Sequence, residues 1–225
     1  PPLDEQQALE VAAIQSVCGN TDLDRWPARP FRSPHHGASA AALVGGGSYP
    51  RPGEISQAHH GVLFLDELPE FDRKVLEMLR EPLESGMIHV ARAREQLTFP
   101  ARFQLIAAMN PCPCGYQGDP SGRCQCTPEQ VQRYRGKLSG PLLDRIDLHL
   151  GMHNEPFSLS SGEPGRPDSR EAAARVSAAR ELQLRRQDCL NAHLELSGVS
   201  QHCRLDSEDE RWLERAAERL GLSRR

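Results

Sequence analysis

The sequence predicts an α/β fold in which a parallel β-sheet with an inserted β-hairpin is followed by a smaller helical part. Two apolar runs of strand length support this prediction, GVLFLDE (61–67) and FQLIAAMN (103–110), and each ends in polar residues. Strands that are apolar on both faces are typical of parallel sheets covered by helices. Apolar residues at helical spacing lie between the two runs, as in strand–helix–strand units.

The chain before the first run predicts one helix and then irregular structure. Residues 4–17 have helical periodicity, and Gly19 with Asn20 ends the helix. The side chains expected on its apolar face are Leu9, Ala12, Ala13 and Val17. Residues 26–60 are rich in Gly, Pro and His, which favours loops with one short hairpin.

Between the two runs, the sequence predicts a helix and a hairpin. Asp72 is a typical N-cap, and the helix after it extends to about Ser85. Its inward-facing side chains are expected to be Val75, Leu76, Leu79 and Leu83. MIHV (87–90) and QLTF (96–99), joined by ARARE, predict the hairpin.

The chain beyond the second run predicts further helices, one strand and a linker. Thr127 caps a helix to about Leu138, and the segment 142–150 predicts a closing strand. Later helices are expected at about 170–191 and 206–220. The resulting organisation is a sheet domain at 1–153, a linker at 154–169 and a helical part at 170–225.

The composition is typical of a cytoplasmic globular protein. The chain has 225 residues, a formal net charge of -4 and 38% hydrophobic residues. No apolar run approaches the roughly 18 residues that a membrane span needs, and the segment PPLDEQQALE is unlike a signal peptide. The net charge excludes a basic surface over the whole domain, so any nucleic-acid contact must come from a local cluster.

Four of the seven cysteines form a CxC…CxC array with nine residues between the pairs. They are Cys112, Cys114, Cys124 and Cys126. An odd cysteine number argues against a disulfide framework. Four thiolates suit a structural Zn²⁺ site, and a Gly- and Pro-rich loop without a core would gain order from such a metal. Free thiols or a redox-labile loop are the alternatives.

Two carboxylates, Asp66 and Glu67, end the first apolar run. The carboxyl ends of strands in open α/β sheets are where ligands bind. Asp66 is suited to hold the water shell of a nucleotide-bound Mg²⁺, and Glu67 to orient or deprotonate an attacking water. The alternative is a strand that ends in solvated acids.

Longer strings around these residues resemble the magnesium-chelatase-like AAA+ family, in its competence-related ComM/YifB-type branch. They are PGEISQAHHGVLFLDELPEF, RPFRSPHHGASAAALVGGGSYPRPGEIS, AAMNPCPCG and LSGPLLDRIDLHL. The resemblance covers about residues 30–150 strongly and the rest weakly. It implies a partial AAA+ P-loop NTPase-type sheet followed by the first helices of the lid domain.

The resemblance implies roles for single residues. Asp66 and Glu67 match the Walker B acids, and Asn110 matches sensor 1, which holds the lytic water. An asparagine before Pro111 is also a normal turn signal. Arg225 matches the sensor 2 arginine, which contacts nucleotide.

Arg145 in LLDRID matches the arginine finger, which reaches into the nucleotide site of the next subunit. A planar and permanently charged guanidinium neutralises charge on the phosphoryl oxygens. The alternative is an ion pair within the chain, with Asp144 or Asp147.

The hairpin resembles the pre-sensor hairpin of this clade, which points into a central pore. Its turn carries Arg92 and Arg94, and six copies of this turn would form a positive ring able to hold a phosphate backbone. The alternative is a solvated charged turn. Two histidine pairs are interpreted as loop structure because side chains adjacent in sequence usually point apart: His35 with His36, and His59 with His60.

No GxxxxGK[ST] motif occurs in the sequence, so the resemblance implies that the phosphate-binding loop lies before residue 1. The chain alone is therefore expected to be inactive, whereas the intact protein would be an ATP- and Mg²⁺-dependent homo-hexamer. The resemblance implies a helicase or branch-migration factor that acts on single-stranded or branched DNA during natural transformation. The alternatives are the ATPase subunit of a metal chelatase, which remodels a protein partner, and a zinc-stabilised interaction module.

Overall fold

The chain folds into two compact units, Pro2–Asn154 and Glu155–Arg225. The computed structural model describes residues 1–20, 26–46, 50–91, 96–152 and 168–221. Of the predicted site residues, Arg92, Arg94 and Arg225 lie outside the described ranges, as does most of the predicted linker. The observed fold confirms the predicted α/β class with a parallel sheet.

Helix α1 (Glu5–Val17) begins at a capping box, in which Asp4 accepts a hydrogen bond from the backbone N–H of Gln7. The expected buried face was wrong, because Leu9 and Val17 are 54% and 56% exposed. The buried side chains of this helix are Ala8, Val11 and Ile14. Helical periodicity identified the helix, but two neighbouring stripes of apolar residues were available and packing selected one of them.

The central sheet has three parallel strands in the order β1 (Phe31–Arg32), β4 (Val62–Leu65) and β7 (Gln104–Ala107). Gly61 permits the close approach of β1 and β4, since a Cβ at this position would lie 2.0 Å from the carbonyl oxygen of Pro30. A side chain at residue 61 would therefore separate the two strands.

The two apolar strands differ in burial. In β4, Leu63 and Leu65 are fully buried, and each contributes about 1.5–3 kcal/mol relative to an exposed side chain. The expectation that β7 is buried on both faces was wrong, because Ile106 is 43% exposed. Within the described chain, β7 pairs with β4 alone and forms an edge of the sheet.

The segment between β1 and β4 contains short elements. They are α2 (Ala40–Val44), β2 (Gly45–Gly46), β3 (Arg51–Pro52) and α3 (Glu54–Gln57). Strands β2 and β3 pair antiparallel, which confirms the short hairpin. Arg32 and Glu54 form two hydrogen bonds of 2.6 Å, which tie β1 to α3.

The predicted helix after Asp72 is divided into α4 (Arg73–Glu77) and α5 (Arg80–Ser85). The inward side chains were expected correctly: Val75, Leu76 and Leu79 are buried, and Leu83 is partly buried against the same core. The hairpin is confirmed: β5 (Met87–Ala91) pairs antiparallel with β6 (Gln96–Pro100).

After β7, the cysteine-rich loop leads into α6 (Pro128–Arg135) and α7 (Gly140–Leu143). The strand expected at 142–150 was wrong, since its first residues complete α7, residues 144–145 form a turn, and residues 146–150 have no strand partner in the described chain. Leu148 and Leu150 are 81% and 83% exposed. An extended segment becomes a strand only when a neighbouring strand accepts and donates its backbone hydrogen bonds.

The second unit is helical in its described part, with α8 (Ser169–Gln187), α9 (Leu196–His202) and α10 (Ser207–Leu220). Two of these helices were expected and α9 was not. None of the helices in the described ranges is both long and apolar enough to cross a membrane.

Candidate functional site

The polar residues that follow β4 and β7 lie at the same end of the sheet, beyond the carboxyl ends of the two strands. Leu65 pairs with Ala107, the N–H of Ala108 donates to the carbonyl of Leu65 at 2.9 Å, and the N–H of Leu68 donates back to the carbonyl of Ala108 at 2.9 Å. These bonds fix the turn that carries Asp66 and Glu67 beside the segment that leads to Asn110. Parallel pairing thus brings the two carboxylates and the asparagine to one end of the sheet.

Glu67 has a left-handed backbone conformation, with φ 52° and ψ 45°. Its N–H donates to the Oδ1 of Asp66 at 2.8 Å. Few residues other than glycine adopt this conformation, and such residues concentrate at functional sites. The Glu67 side chain is 51% exposed.

His36 is a site residue that the sequence analysis missed. Its Nδ1 lies 2.9 Å from the Oε2 of Glu67. The His36 ring packs at 4.0 Å from the ring of His35 and edge-on against Phe71. Because β1 and β4 are parallel neighbours, residues that follow β1 reach the same sheet edge as Glu67. The two-residue strand β1 carries no such signal in the sequence, so only the fold identifies His36.

Asn110 is exposed, and the residues around it are held by α6. The Arg135 Nε donates to the carbonyl of Pro111 at 3.2 Å, and the N–H of Asn110 donates to the hydroxyl oxygen of Tyr134. Burial, followed by the negative charges of Glu70 and Glu67, raises the pKa of Tyr134. Tyr134 therefore lies within electrostatic reach of the turn that carries Glu67 as well as beside Asn110.

Arg145 follows α7 and is bound inside its own chain. Its Nη2 donates to the Oε2 of Glu84 at 2.5 Å and its Nη1 to the carbonyl of Pro141 at 2.7 Å. The described ion pair therefore involves α5, rather than the neighbouring Asp144 or Asp147. The Arg145 side chain is 16% exposed, while that of Glu84 is 63% exposed.

The four cysteines converge on one point. The Sγ atoms of Cys112 and Cys114 are 3.4 Å apart, and Cys124 lies 3.8 Å and 3.7 Å from them. With Cys126 included, all four sulfur atoms lie within 4.8 Å of one another. In a tetrahedral zinc site the Zn–S distance of about 2.3 Å separates the sulfurs by roughly 3.8 Å. The sulfur positions therefore fit such a centre.

The thiols of this loop differ in acidity. A hydrogen bond from the backbone of Tyr116, followed by one with Cys126, lowers the pKa of Cys114 to about 6. The hydrogen bond with Cys114 raises the pKa of Cys126 to about 12. The Cys114 thiol is therefore more acidic than an ordinary thiol, and the thiolate is the form that binds metals.

A second polar cluster joins α1 to the segment before β4, and it corrects the expectation that adjacent histidines point apart. The rings of His59 and His60 are 3.9 Å apart. Their Nε2 atoms lie 3.2 Å and 2.7 Å from the Oε2 of Glu10. The left-handed backbone of His60, with φ 55°, turns both rings to one side.

The hydrogen bonds of His59 favour a structural role for this cluster. Its Nδ1 accepts from the N–H of Arg102 at 3.0 Å, so a neutral ring carries its proton on Nε2. That Nε2–H donates to Glu10 and has no lone pair for a metal. The cluster is therefore a structural contact that links α1 to the sheet domain.

Acid should weaken this contact through His59, which is 2% exposed. Burial, followed by the charge of His60, lowers the pKa of His59 from 6.5 to about 4. The unfolded chain therefore takes up a proton that the folded chain excludes, and stability is lost as the pH falls from 6.5 to 4. The expected loss is about 3 kcal/mol in the free energy of unfolding.

Urea denaturation at pH 7.5, 6, 5 and 4.5 measures this loss, and the His59→Gln variant is the control. The variant should have a flatter dependence over the same interval because its amide does not titrate. Equal pH dependence in both proteins would contradict the role of His59.

Comparison with known proteins identifies the class. The family described as magnesium chelatase, subunit ChlI, matches residues 1–159, and its C-terminal family matches residues 166–225. The chain belongs to this AAA+-like family.

Within the family, the chain is of the ComM/YifB type. It is 54% identical to YifB of Salmonella typhimurium over 99% of this chain and 44% of that protein. It is 46% identical to the competence protein ComM of Haemophilus influenzae over 99% of this chain and 44% of that protein. The magnesium-chelatase subunit ChlI of Anabaena variabilis is 26% identical over 63% of this chain and 31% of that protein. The chain thus spans less than half the length of these relatives.

Proposed function

We propose that this chain is part of an ATP hydrolase that works as a ring-shaped motor on DNA. The observation that carries the proposal is the convergence of Asp66, Glu67 and Asn110 at one edge of a parallel sheet. In this assignment Asp66 holds the water shell of Mg²⁺, Glu67 activates the attacking water, and Asn110 orients that water.

The remaining nucleotide contacts in this assignment come from three places: a loop outside these residues, Arg225, and a neighbouring subunit. These 225 residues lack a GxxxxGK[ST] motif, so the ATP phosphates are held by a loop outside them. Arg225 follows α10 and contacts nucleotide as sensor 2. Arg145 acts as the arginine finger of the next subunit in a homo-hexamer.

The proposed substrate is single-stranded or branched DNA. The name of the Haemophilus influenzae relative, a competence protein, supports a role in natural transformation. Arg92 and Arg94 stand between β5 and β6 in the sequence, and six copies of this segment would supply positive charge for a phosphate backbone. Such contacts depend on charge and are independent of sequence.

DNA should raise the ATPase rate of the full-length protein and co-sediment with it. The double variant Arg92→Ala/Arg94→Ala should lose this stimulation while keeping the DNA-free rate, because neither arginine is assigned a contact with nucleotide. The ratio of rates with and without branched DNA is the measurement.

A second candidate is a protein remodeller of the chelatase type, favoured by the match to magnesium chelatase subunit ChlI. An ATPase that branched DNA leaves unchanged, and that shows no co-sedimentation with DNA in ATP, would support this candidate instead.

The four-cysteine loop is proposed to hold one structural Zn²⁺. Sulfur separations of 3.4 to 3.8 Å support this assignment, as does the low pKa of Cys114. Zn²⁺ would supply the order that a loop with little apolar surface lacks.

Protein purified under reducing conditions without chelator should therefore contain about one zinc per chain, as measured by elemental analysis. Cys124→Ser should lower this content, whereas Cys203→Ser, a cysteine outside the cluster, should leave it unchanged. Zinc-free protein from such a preparation would contradict the assignment.

A further inference from the structure

The segment that carries Asn110 is attached to the sheet at one end and to the cysteine cluster at the other. On one side, Ala108 is hydrogen-bonded to both Leu65 and Leu68 at 2.9 Å. On the other side, Cys112 is fully buried and its sulfur belongs to the thiol cluster. Only residues 109–111 lie between these two fixed points, so a shift of Cys112 must move Asn110.

The Asn110 side chain also lies against the cysteine loop. A Cβ on Gly115 would be 3.9 Å from both the Cγ and the Oδ1 of Asn110. Gly115 belongs to the turn formed by the first cysteine pair, since its N–H donates to the carbonyl of Cys112 at 3.0 Å. Its φ of 82° is in the left-handed region that favours glycine.

Helix α6 connects the end of the cysteine loop to the backbone next to Asn110. Its N-cap is Thr127, directly after Cys126, and the last residue of the helix, Arg135, donates to the carbonyl of Pro111 and to the Oε1 of Gln117 at 2.9 Å. The final cysteine therefore leads straight into the helix that holds the backbone next to Asn110. Both ends of the loop are tied to the same asparagine.

We propose that metal binding by the four cysteines positions Asn110 and thereby controls ATP hydrolysis. The inference rests on the proposed function and names a regulation of that site. Within the loop, Cys112 is buried while the other three cysteines are partly or fully exposed, so thiol–metal bonds replace apolar packing as the source of order. The cysteines are positioning residues, because they act on the reaction through Asn110.

Removal of the metal should change kcat rather than the KM for ATP. The hydrogen bonds between β4 and β7 are independent of the loop, so Asp66 and Glu67 keep their places when metal is removed. Asn110 orients water in this assignment, and its displacement lowers kcat by roughly 10–100-fold, as is typical when outer-shell support is lost. The KM for ATP changes little.

The positional part is tested on the 225-residue chain by NMR. The side-chain amide signals of Asn110 are compared in zinc-loaded protein and after chelation, with Asn191 of the second unit as the internal reference. The Asn110 signals should shift or broaden on zinc removal, and in Cys124→Ser but not in Cys203→Ser. Bound zinc that leaves the Asn110 signals unchanged overturns the inference, as does an absence of zinc binding.

The kinetic part uses full-length protein and a double-mutant comparison. Chelation should lower kcat in the wild type but cause no further loss in Asn110→Ala, because both changes act through one side chain. A further loss of equal size in Asn110→Ala overturns the inference. A zinc-loaded protein without ATPase activity contradicts the proposed function instead, while the NMR result still decides whether zinc positions Asn110.

Discussion

Replacing Arg145 with alanine should lower the ATPase rate of the full-length protein by roughly 10³–10⁵-fold. The reason is electrostatic: a guanidinium fork neutralises the charge that spreads over the phosphoryl oxygens during transfer. Arg145→Lys should recover only part of the rate, since lysine keeps the charge but lacks the planar fork. Steady-state ATPase assays measure both variants.

The ion pair with Glu84 offers a competing explanation, in which Arg145 is structural. The Glu84→Gln variant distinguishes the nucleotide role from the structural role, because it removes the negative charge at residue 84 and keeps Arg145. If Arg145 acts on nucleotide, Glu84→Gln should retain the ATPase rate or raise it, since the 2.5 Å contact holds the guanidinium inside its own chain. If the pair is structural, Glu84→Gln should reproduce the defect of Arg145→Ala.

Mixed rings test whether Arg145 acts on the neighbouring subunit. Arg145→Ala subunits keep Glu67, and Glu67→Gln subunits keep Arg145, so some interfaces in a mixture contain both intact groups. Those sites should recover partial activity that neither variant has alone. Absence of recovery, in mixtures shown to form mixed rings, would indicate that each subunit is defective by itself.

Glu67→Gln should lower the turnover rate by about 10²–10⁴-fold while ATP binding is retained. The substitution keeps the size and the hydrogen-bonding capacity of the side chain but removes the basic carboxylate that activates water. It also converts the 2.9 Å contact with His36 from an acid–histidine contact into an amide contact. ATPase assays and nucleotide titrations measure the two effects separately.

Glu70→Gln is the matched control for this variant. Glu70 lies in the same turn, and its carboxylate pairs with Lys137 at 3.1 Å. The control should retain most of the turnover rate. Near-normal turnover in Glu67→Gln, or an equal loss in both variants, would falsify the assignment of Glu67 as the base.

Sequence alone determined the features that depend on residues close to one another along the chain. The apolar run of β4, the caps at Asp72 and Thr127, and the hairpin strands β5 and β6 follow from side-chain periodicity and local hydrogen bonds. The cysteine spacing predicted one cluster, and its sulfur atoms do converge. In these cases the interacting groups are close along the chain, so their pattern is visible in the sequence.

The sequence placed Asp66, Glu67 and Asn110 at strand ends, but only the tertiary structure revealed their surroundings. His36 reaches Glu67 because β1 and β4 are neighbours in the sheet, and Arg145 pairs with Glu84 on another helix. Neither contact leaves a periodic signal, because its partners are separated by intervening elements.

The difference between contacts within a local segment and contacts between distant segments also explains the incorrect expectations. The sequence identified α1, but the side of the helix that is buried depends on the surface that covers it. The apolar segment 142–150 has strand-like composition, yet no strand in the described chain pairs with it. His59 and His60 converge because Glu10, which lies 49 and 50 residues away along the chain, accepts a hydrogen bond from each. Local propensity determined which elements form, and long-range packing and hydrogen bonding decided which of their side chains meet.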